Sequence, residues 1–232
     1  MFLSIVIPAY NESERLPETL KKVFDYLEKH NYNFEIIVVD DGSNDRTPQI
    51  VKEQFGEKVK VLIQEQNLGK GAAVRLGVLS SIGEQVLFMD ADGSTPITEI
   101  KKLQIELEKN YSLAIGSRKN NSLIEVRQPF YREYLGKTFN LLVRALTGTS
   151  IIDTQCGFKL IKGKVAHELF AKMTINGFAF DVELLYLAAQ GGFTVAEIPV
   201  VWVNDKRSKV SLLRDPLIML WEIFKIQFIH NK

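Results

Sequence analysis

The sequence is poor in several features that would commit it to common roles. Its 232 residues include one cysteine, Cys156. No intrachain disulfide framework can exist, and a reducing cytosolic setting is the natural reading. Cys156 itself reads as a small buried hydrophobe rather than a nucleophile. No uninterrupted apolar run reaches the roughly 20 residues that span a bilayer. The nearest, Leu217 to Ile229, is broken by Glu222, Lys225 and Gln227. The first residues, Met1 to Pro8, lack the basic flank of a signal peptide and read as a strand. Neither sign of charge dominates, with 29 Lys and Arg against 28 Asp and Glu. That balance argues against nucleic-acid binding through bulk basic charge, while leaving room for a local phosphate site. Internal repeats, low-complexity segments and clean linkers are also missing.

What is present is an alternation of short β-rich runs with helical stretches. Leu3 to Ile7, Phe34 to Val39, Val59 to Ile63, Gln85 to Met89 and Leu113 to Ile115 read as strands. Between the first two, Leu16, Leu20, Val23, Phe24 and Leu27 recur at helical spacing, with Ser13 or Asn11 as the expected cap. Gly69 to Ser81 reads as a second helix. Further on, Phe130 to Leu146 and Asp181 to Gln190 read as helices, Gly157 to Ile161 as a short strand, and Phe193 to Val203 as an edge or bulged strand because of Pro199. The tail from Asp215 is helical. Near-continuous apolar strands alternating with helices predict an α/β fold with a mostly parallel central sheet and helices on both faces. Ligands bind such sheets at the carboxyl ends of the strands. Here that edge carries Tyr10, Asn11, Asp40, Asp41, Asp90, Asp92 and Arg118.

Each strand end offers a specific chemistry. Asp90-Ala91-Asp92 places two carboxylates one residue apart after a buried strand, a spacing that can hold one hard cation with open positions for diphosphate oxygens. By itself the pattern is weak, and a loop whose aspartate caps the next helix is the plainer reading. Asp40 or Asp41 can accept hydrogen bonds from a base or ribose, and Gly42 permits a tight turn. Ser43 or Asp45 can cap a helix beginning near Thr47-Pro48. After Pro8-Ala9, Tyr10 can lie against a base, and Glu12 can bond a ribose or cap a helix. Asn67-Leu68-Gly69-Lys70-Gly71 is not a Walker motif, yet exposed amides and Lys70 at a helix start favour an anion; the plainer reading is a solvated lysine.

Taken together, these segments resemble the family-2 inverting glycosyltransferases, whose fold is the GT-A type for nucleotide-diphospho-sugar transfer. The resemblance covers essentially the whole chain. Two further motifs, Asp153-Thr154-Gln155-Cys156-Gly157-Phe158-Lys159 and Phe178-Ala179-Phe180-Asp181-Val182-Glu183-Leu184-Leu185, resemble the dolichyl-phosphate and polyprenyl-phosphate β-glucosyltransferase branch. The resemblance implies a UDP-glucose or GDP-mannose donor, a divalent metal (Mg²⁺ or Mn²⁺) on Asp90 and Asp92, and a polyprenyl or dolichyl phosphate acceptor. It implies nucleotide-sugar contacts from Pro8, Ala9, Tyr10, Glu12, Asp40, Asp41, Gly42, Lys70, Asp90 and Ala91. The mannosyl branch carries a glutamine as an additional ligand after its metal motif. Gly93-Ser94 stands there instead, which favours glucose and leaves two named protein ligands.

A lipid phosphate is already anionic, so it needs little help from a general base. Arg118, Arg132 and Lys209 are the expected clamps for its phosphate. Asp92, Asp181 and Arg118 are the expected catalytic residues, with Asp181 orienting the acceptor or capping a helix. Residues 1–211 are assigned to the transferase domain and 212–232 to a C-terminal helix. Its apolar set, Leu217, Ile218, Leu220, Trp221, Phe224, Phe228 and Ile229, fits core packing, a homo-oligomer contact or a membrane surface. Burial or a subunit contact ranks slightly first, and Lys206, Arg207, Lys209 and Arg214 just before it strengthen the membrane case. The protein is therefore placed in the cytoplasm, either free or peripheral on the membrane's cytoplasmic face. Rival readings are a same-fold transferase acting on a saccharide hydroxyl in surface polysaccharide synthesis, a receiver-like signalling module, and a glycosidase. The first would want a free carboxylate base, for which only Asp153, Asp181 and Glu183 offer themselves.

Overall fold

The computed structural model describes residues 1–118, 151–203 and 214–230. The expected helix over 130–146, together with Arg132 and Lys209, lies outside them.

Seven strands form one sheet in the order β3-β2-β1-β4-β6-β5-β7. They are β1 (Phe2–Ala9), β2 (Asn33–Asp40), β3 (Val59–Ile63), β4 (Gln85–Met89), β5 (Leu113–Ser117), β6 (Phe158–Lys162) and β7 (Val195–Pro199). All neighbouring pairs are parallel except those made by β6, which runs antiparallel to β4 and to β5. The sheet is thus mostly parallel, as expected. Pro8 is tolerated in a central strand because β4 pairs with β1 only as far as Val6. Pro199 closes β7 at the sheet edge.

Successive strand residues point to opposite faces, and the two faces have separate cores. Leu3, Ile5, Ile7, Leu87 and Leu160 join the core under α1 (Leu16–Lys29), α2 (Thr47–Phe55) and α4 (Ile100–Glu108). Val6, Ile37, Val39, Val86, Phe88 and Ile161 join the other. That second core lies under α3 (Lys70–Leu79), α5 (Gly163–Lys172), α6 (Phe180–Gln190) and α7 (Arg214–His230). Because both sides are covered, the strands read as continuous apolar runs rather than as alternations.

Two local expectations are corrected. Helix α1 begins at Leu16 after Arg15, with no side-chain cap from Asn11 or Ser13. Asn11 adopts φ 54° and accepts from the Asn44 amide, while the Ser13 amide donates to Asp45, so both are committed to the neighbouring loop. Asp181 does not cap α6, which starts after Ala179. The Ala179 amide instead donates to Glu222 of α7, 3.3 Å away.

Helix α7 is built into the second core. Met219, Ile223 and Ile226 are buried there, and His230 Nε2 lies 2.8 Å from the buried Glu183 carboxylate. Its opposite side exposes Ile218, Trp221, Phe224 and Phe228, with Trp221 70% and Phe228 79% accessible. Among the described residues, no helix is long and apolar enough to cross a membrane.

Candidate active site

The carboxyl ends of β1, β2, β4 and β5 bring the expected polar residues to one edge. Pro8 and Ala9 finish β1 as a buried floor, and Tyr10 follows half-buried at the bend. On β2 the two aspartates divide their work. Asp41 accepts the Leu68 amide at 2.8 Å and the Gly69 amide at 3.0 Å, tying the loop before α3 to the strand. Burial pushes its carboxyl up despite those two amides, and the charge of Asp40 adds to the rise. Asp40 uses Oδ2 to accept the Ser43 amide, while its buried Oδ1 has no protein hydrogen bond. An orphaned acceptor at a strand end is what a ligand donor would fill. Gly42 turns the chain with φ +68°, and a Cβ there would lie 2.5 Å from the Gln66 carbonyl carbon. Only glycine fits that approach.

Glu12 is buried and forked onto Arg15, with contacts of 2.6 and 2.5 Å. Arg15, which the sequence reading passed over, also lies 3.9 Å from Asp92. Its spacing of three from Glu12 on the approach to α1 was the available signal.

Asp90 and Asp92 follow β4 with their side chains 34% and 26% exposed. Asp92 Oδ1 accepts the Ser94 amide at 2.9 Å. Burial pushes the Asp92 carboxyl up, and the neighbouring charge of Asp90 pushes it the same way. Asp90 is shaped by Gly157, the residue before β6: a Cβ there would sit 2.1 Å from Asp90 Oδ2, so only glycine leaves the carboxylate its place. Lys70 is no solvated lysine. Its Nζ pairs with Asp90 Oδ1 at 2.6 Å. Burial alone would lower its pKa, but the charges of Asp90 and Asp181 hold it above the ordinary lysine value. A cation already seated against one of two open carboxylates shows that the pair suits a positive charge. Two carboxylates with diphosphate oxygens and water also match the habit of Mg²⁺ and Mn²⁺. Among the described residues, no group of three or more His, Cys, Asp or Glu gathers to hold a metal.

Arg118, at the end of β5, is braced rather than free. Its Nε and Nη2 each donate to Asp153 at 2.8 Å, and its guanidinium lies 5.7 Å from the Trp202 ring centroid. Asp153 is in turn held by its own amide and that of Ile152, both donating to Glu197. Asp181 is buried and ion-paired with Lys159, whose ammonium also donates to the Cys156 carbonyl and lies over Phe88. Burial pushes the Asp181 carboxyl up, with Lys159 and Lys70 opposing. Cys156 is buried, its thiol pushed up to about 12 chiefly by burial and then by the charge of Asp153, as suits an inert packing residue.

A mostly parallel sheet with one reversed strand, and an acidic pair at its carboxyl edge, define a GT-A-type transferase architecture. The chain belongs to glycosyl transferase family 2, whose family model matches residues 4–170. It is similar to the dolichyl-phosphate beta-glucosyltransferase of Drosophila melanogaster, with 40% identity over 97% of this chain and 74% of that protein. The Homo sapiens protein of the same name is 38% identical over 90% of this chain and 69% of its own length. In fold, the chain is similar to glucosyl-3-phosphoglycerate synthase from Mycobacterium tuberculosis. There the TM-score is 0.71 at 19% identity, covering 97% of this chain and 80% of that one. A second crystal structure of that synthase, holding Mn²⁺, uridine diphosphate and glucosyl-3-phosphoglycerate, gives a TM-score of 0.69 at 18% identity, with coverages of 97% and 79%.

Proposed function

We propose that this protein transfers glucose from UDP-glucose to a polyprenyl or dolichyl phosphate at the cytoplasmic surface of a membrane. The observation that carries the acceptor assignment is the state of three carboxylates. Asp153 is engaged by Arg118, Asp181 by Lys159, and Glu183 by the amides of Thr174 and Ile175, the Thr174 hydroxyl and His230. A sugar hydroxyl must lose a proton to attack, and these groups are already committed. A phosphate monoester arrives as an anion and attacks without such a base. The names of the similar curated proteins point to the same acceptor class.

The chain's own residues divide the rest. Asp40 meets the nucleoside through its unpartnered carboxylate oxygen, and Tyr10 lies against the base. Asp90 and Asp92 are the metal carboxylates. A bound Mg²⁺ or Mn²⁺ would neutralise charge on the departing nucleotide diphosphate. Lys70 supplies a protein cation beside them. Arg118, fixed by Asp153 and Trp202, presents its remaining donors to the acceptor phosphate, joined by Arg132 and Lys209. Asp181 works through position: it fixes Lys159 below the site and adds negative charge near Lys70.

The decisive comparison uses radiolabelled UDP-glucose with dolichyl phosphate and with dolichol, the same lipid without its phosphate. Label should enter the phosphorylated lipid alone. Equal labelling of dolichol would place a hydroxyl acceptor, and a different base, in the site.

The exposed side of α7 completes the reading. Ile218, Trp221, Phe224 and Phe228 form one stripe opposite the buried Met219, Ile223 and Ile226. A lipid acceptor demands proximity to a bilayer, and the segment before α7 is basic, with Lys206, Arg207 and Lys209. In a flotation assay with anionic vesicles, the wild type should rise with the lipid. A Trp221→Glu/Phe228→Glu double variant should stay below while its thermal midpoint holds, since both rings are outside the core. Wild-type protein that remains in the bottom fraction would remove the membrane contact.

A further inference from the structure

Lys70 occupies a place that two different cations want. It is the first residue of α3, and its Nζ reaches 2.6 Å from Asp90 Oδ1. Its side chain is 22% exposed, with Nζ 5.9 Å from the Phe180 ring centroid. The other nearby anion on this side, Asp181, is taken by Lys159. Across the pair, Arg15 is committed to Glu12 and only approaches Asp92. The ammonium of Lys70 therefore has Asp90 as its partner, and Asp90 has Lys70.

Charge counting shows what this pairing does. Among the described residues, and with the Arg118–Asp153 pair neutral by itself, the four carboxylates Glu12, Asp90, Asp92 and Asp181 face the three cations Arg15, Lys70 and Lys159, leaving one formal negative charge. A divalent cation arriving alone would reverse that to one positive charge, in a site where Lys70 already holds a ligand oxygen. A nucleotide sugar brings a diphosphate with two negative charges and restores the balance. It also offers the ammonium a new partner.

We infer that Lys70 is a placeholder cation, which occupies Asp90 in the donor-free enzyme and releases it when the donor diphosphate binds, so that metal and donor load together. This rests on the proposed assignment of Asp90 and Asp92 as metal carboxylates. Coupling of this kind is reciprocal: the donor strengthens metal binding by the factor with which metal strengthens donor binding.

The test is a Mn²⁺ titration followed by the paramagnetic resonance signal of free Mn²⁺, on the full chain, with and without UDP, the Mn²⁺ taken up by UDP alone being measured and subtracted. Without UDP, Lys70→Met should bind Mn²⁺ about tenfold more tightly than wild type, because a charged competitor is gone. Lys70→Arg should stay within about twofold of wild type, since the charge is kept. Adding UDP should strengthen Mn²⁺ binding far more in the wild type than in Lys70→Met. A gain in affinity cannot come from misfolding. If Lys70→Met binds Mn²⁺ no better than wild type without UDP, while wild type binds it with UDP, the placeholder role is wrong and the metal site stands. If neither protein binds Mn²⁺ even with UDP, the metal assignment itself falls.

Discussion

Asp92→Ala is expected to abolish sugar transfer, by on the order of a thousandfold or more, while the protein stays folded. Both halves follow from the surroundings of Asp92. It is one of the two carboxylates proposed to hold the metal, and its removal leaves Asp90 alone with Lys70. Its structural duty is small and local: bonds from the Ser94 amide and side chain, and a distant approach by Arg15. Burial and the charge of Asp90 both disfavour its ionised form, so losing it relieves repulsion. Transfer assays at saturating Mn²⁺, beside a thermal melt, read both quantities. Full activity in the variant would remove Asp92 from the metal site.

The second large effect is on stability. Lys159 is fully buried beneath the site, paired with Asp181 and bonded to the Cys156 carbonyl. Lys159→Met should cost about 3–5 kcal/mol, because it strands a buried carboxylate and an unpartnered carbonyl. The double variant Lys159→Met/Asp181→Leu should recover a good part of that loss, since removing both charges of a buried pair is far cheaper than removing one. Urea midpoints of the two variants give the comparison. Equal losses in both would mean that side-chain volume, not charge pairing, sets the cost.

The sheet was legible because its strands are short apolar runs that end in polar residues, a pattern set by burial on both faces. The site edge followed from the same pattern: Asp40, Asp41, Asp90, Asp92 and Arg118 each stand where a strand stops. Division of labour between neighbours was not legible. Nothing in Asp40-Asp41 says that the second would tie down the loop at Leu68 and Gly69, because the partner amides are 27 and 28 residues away in sequence. The Lys159–Asp181 pair joins two motifs read separately, 22 residues apart, one on β6 and one on α6. Helices α4 and α5 were not foreseen, and a missing side-chain cap does not account for it, since α1, α3 and α6 also start without one. Lys70 was legible as an anion-binding lysine at a helix start, but sequence does not show the carboxylate of Asp90 that holds it.

Mass spectrometry of the lipid product reads the proposed reaction directly. Purified protein, UDP-glucose, dolichyl phosphate and Mn²⁺ or Mg²⁺ should yield a lipid heavier by one hexose, and a chelator should stop its formation. Glucose appearing on a saccharide while the lipid phosphate stays unchanged would contradict the account, as would a hexosylated lipid formed equally well with chelator present.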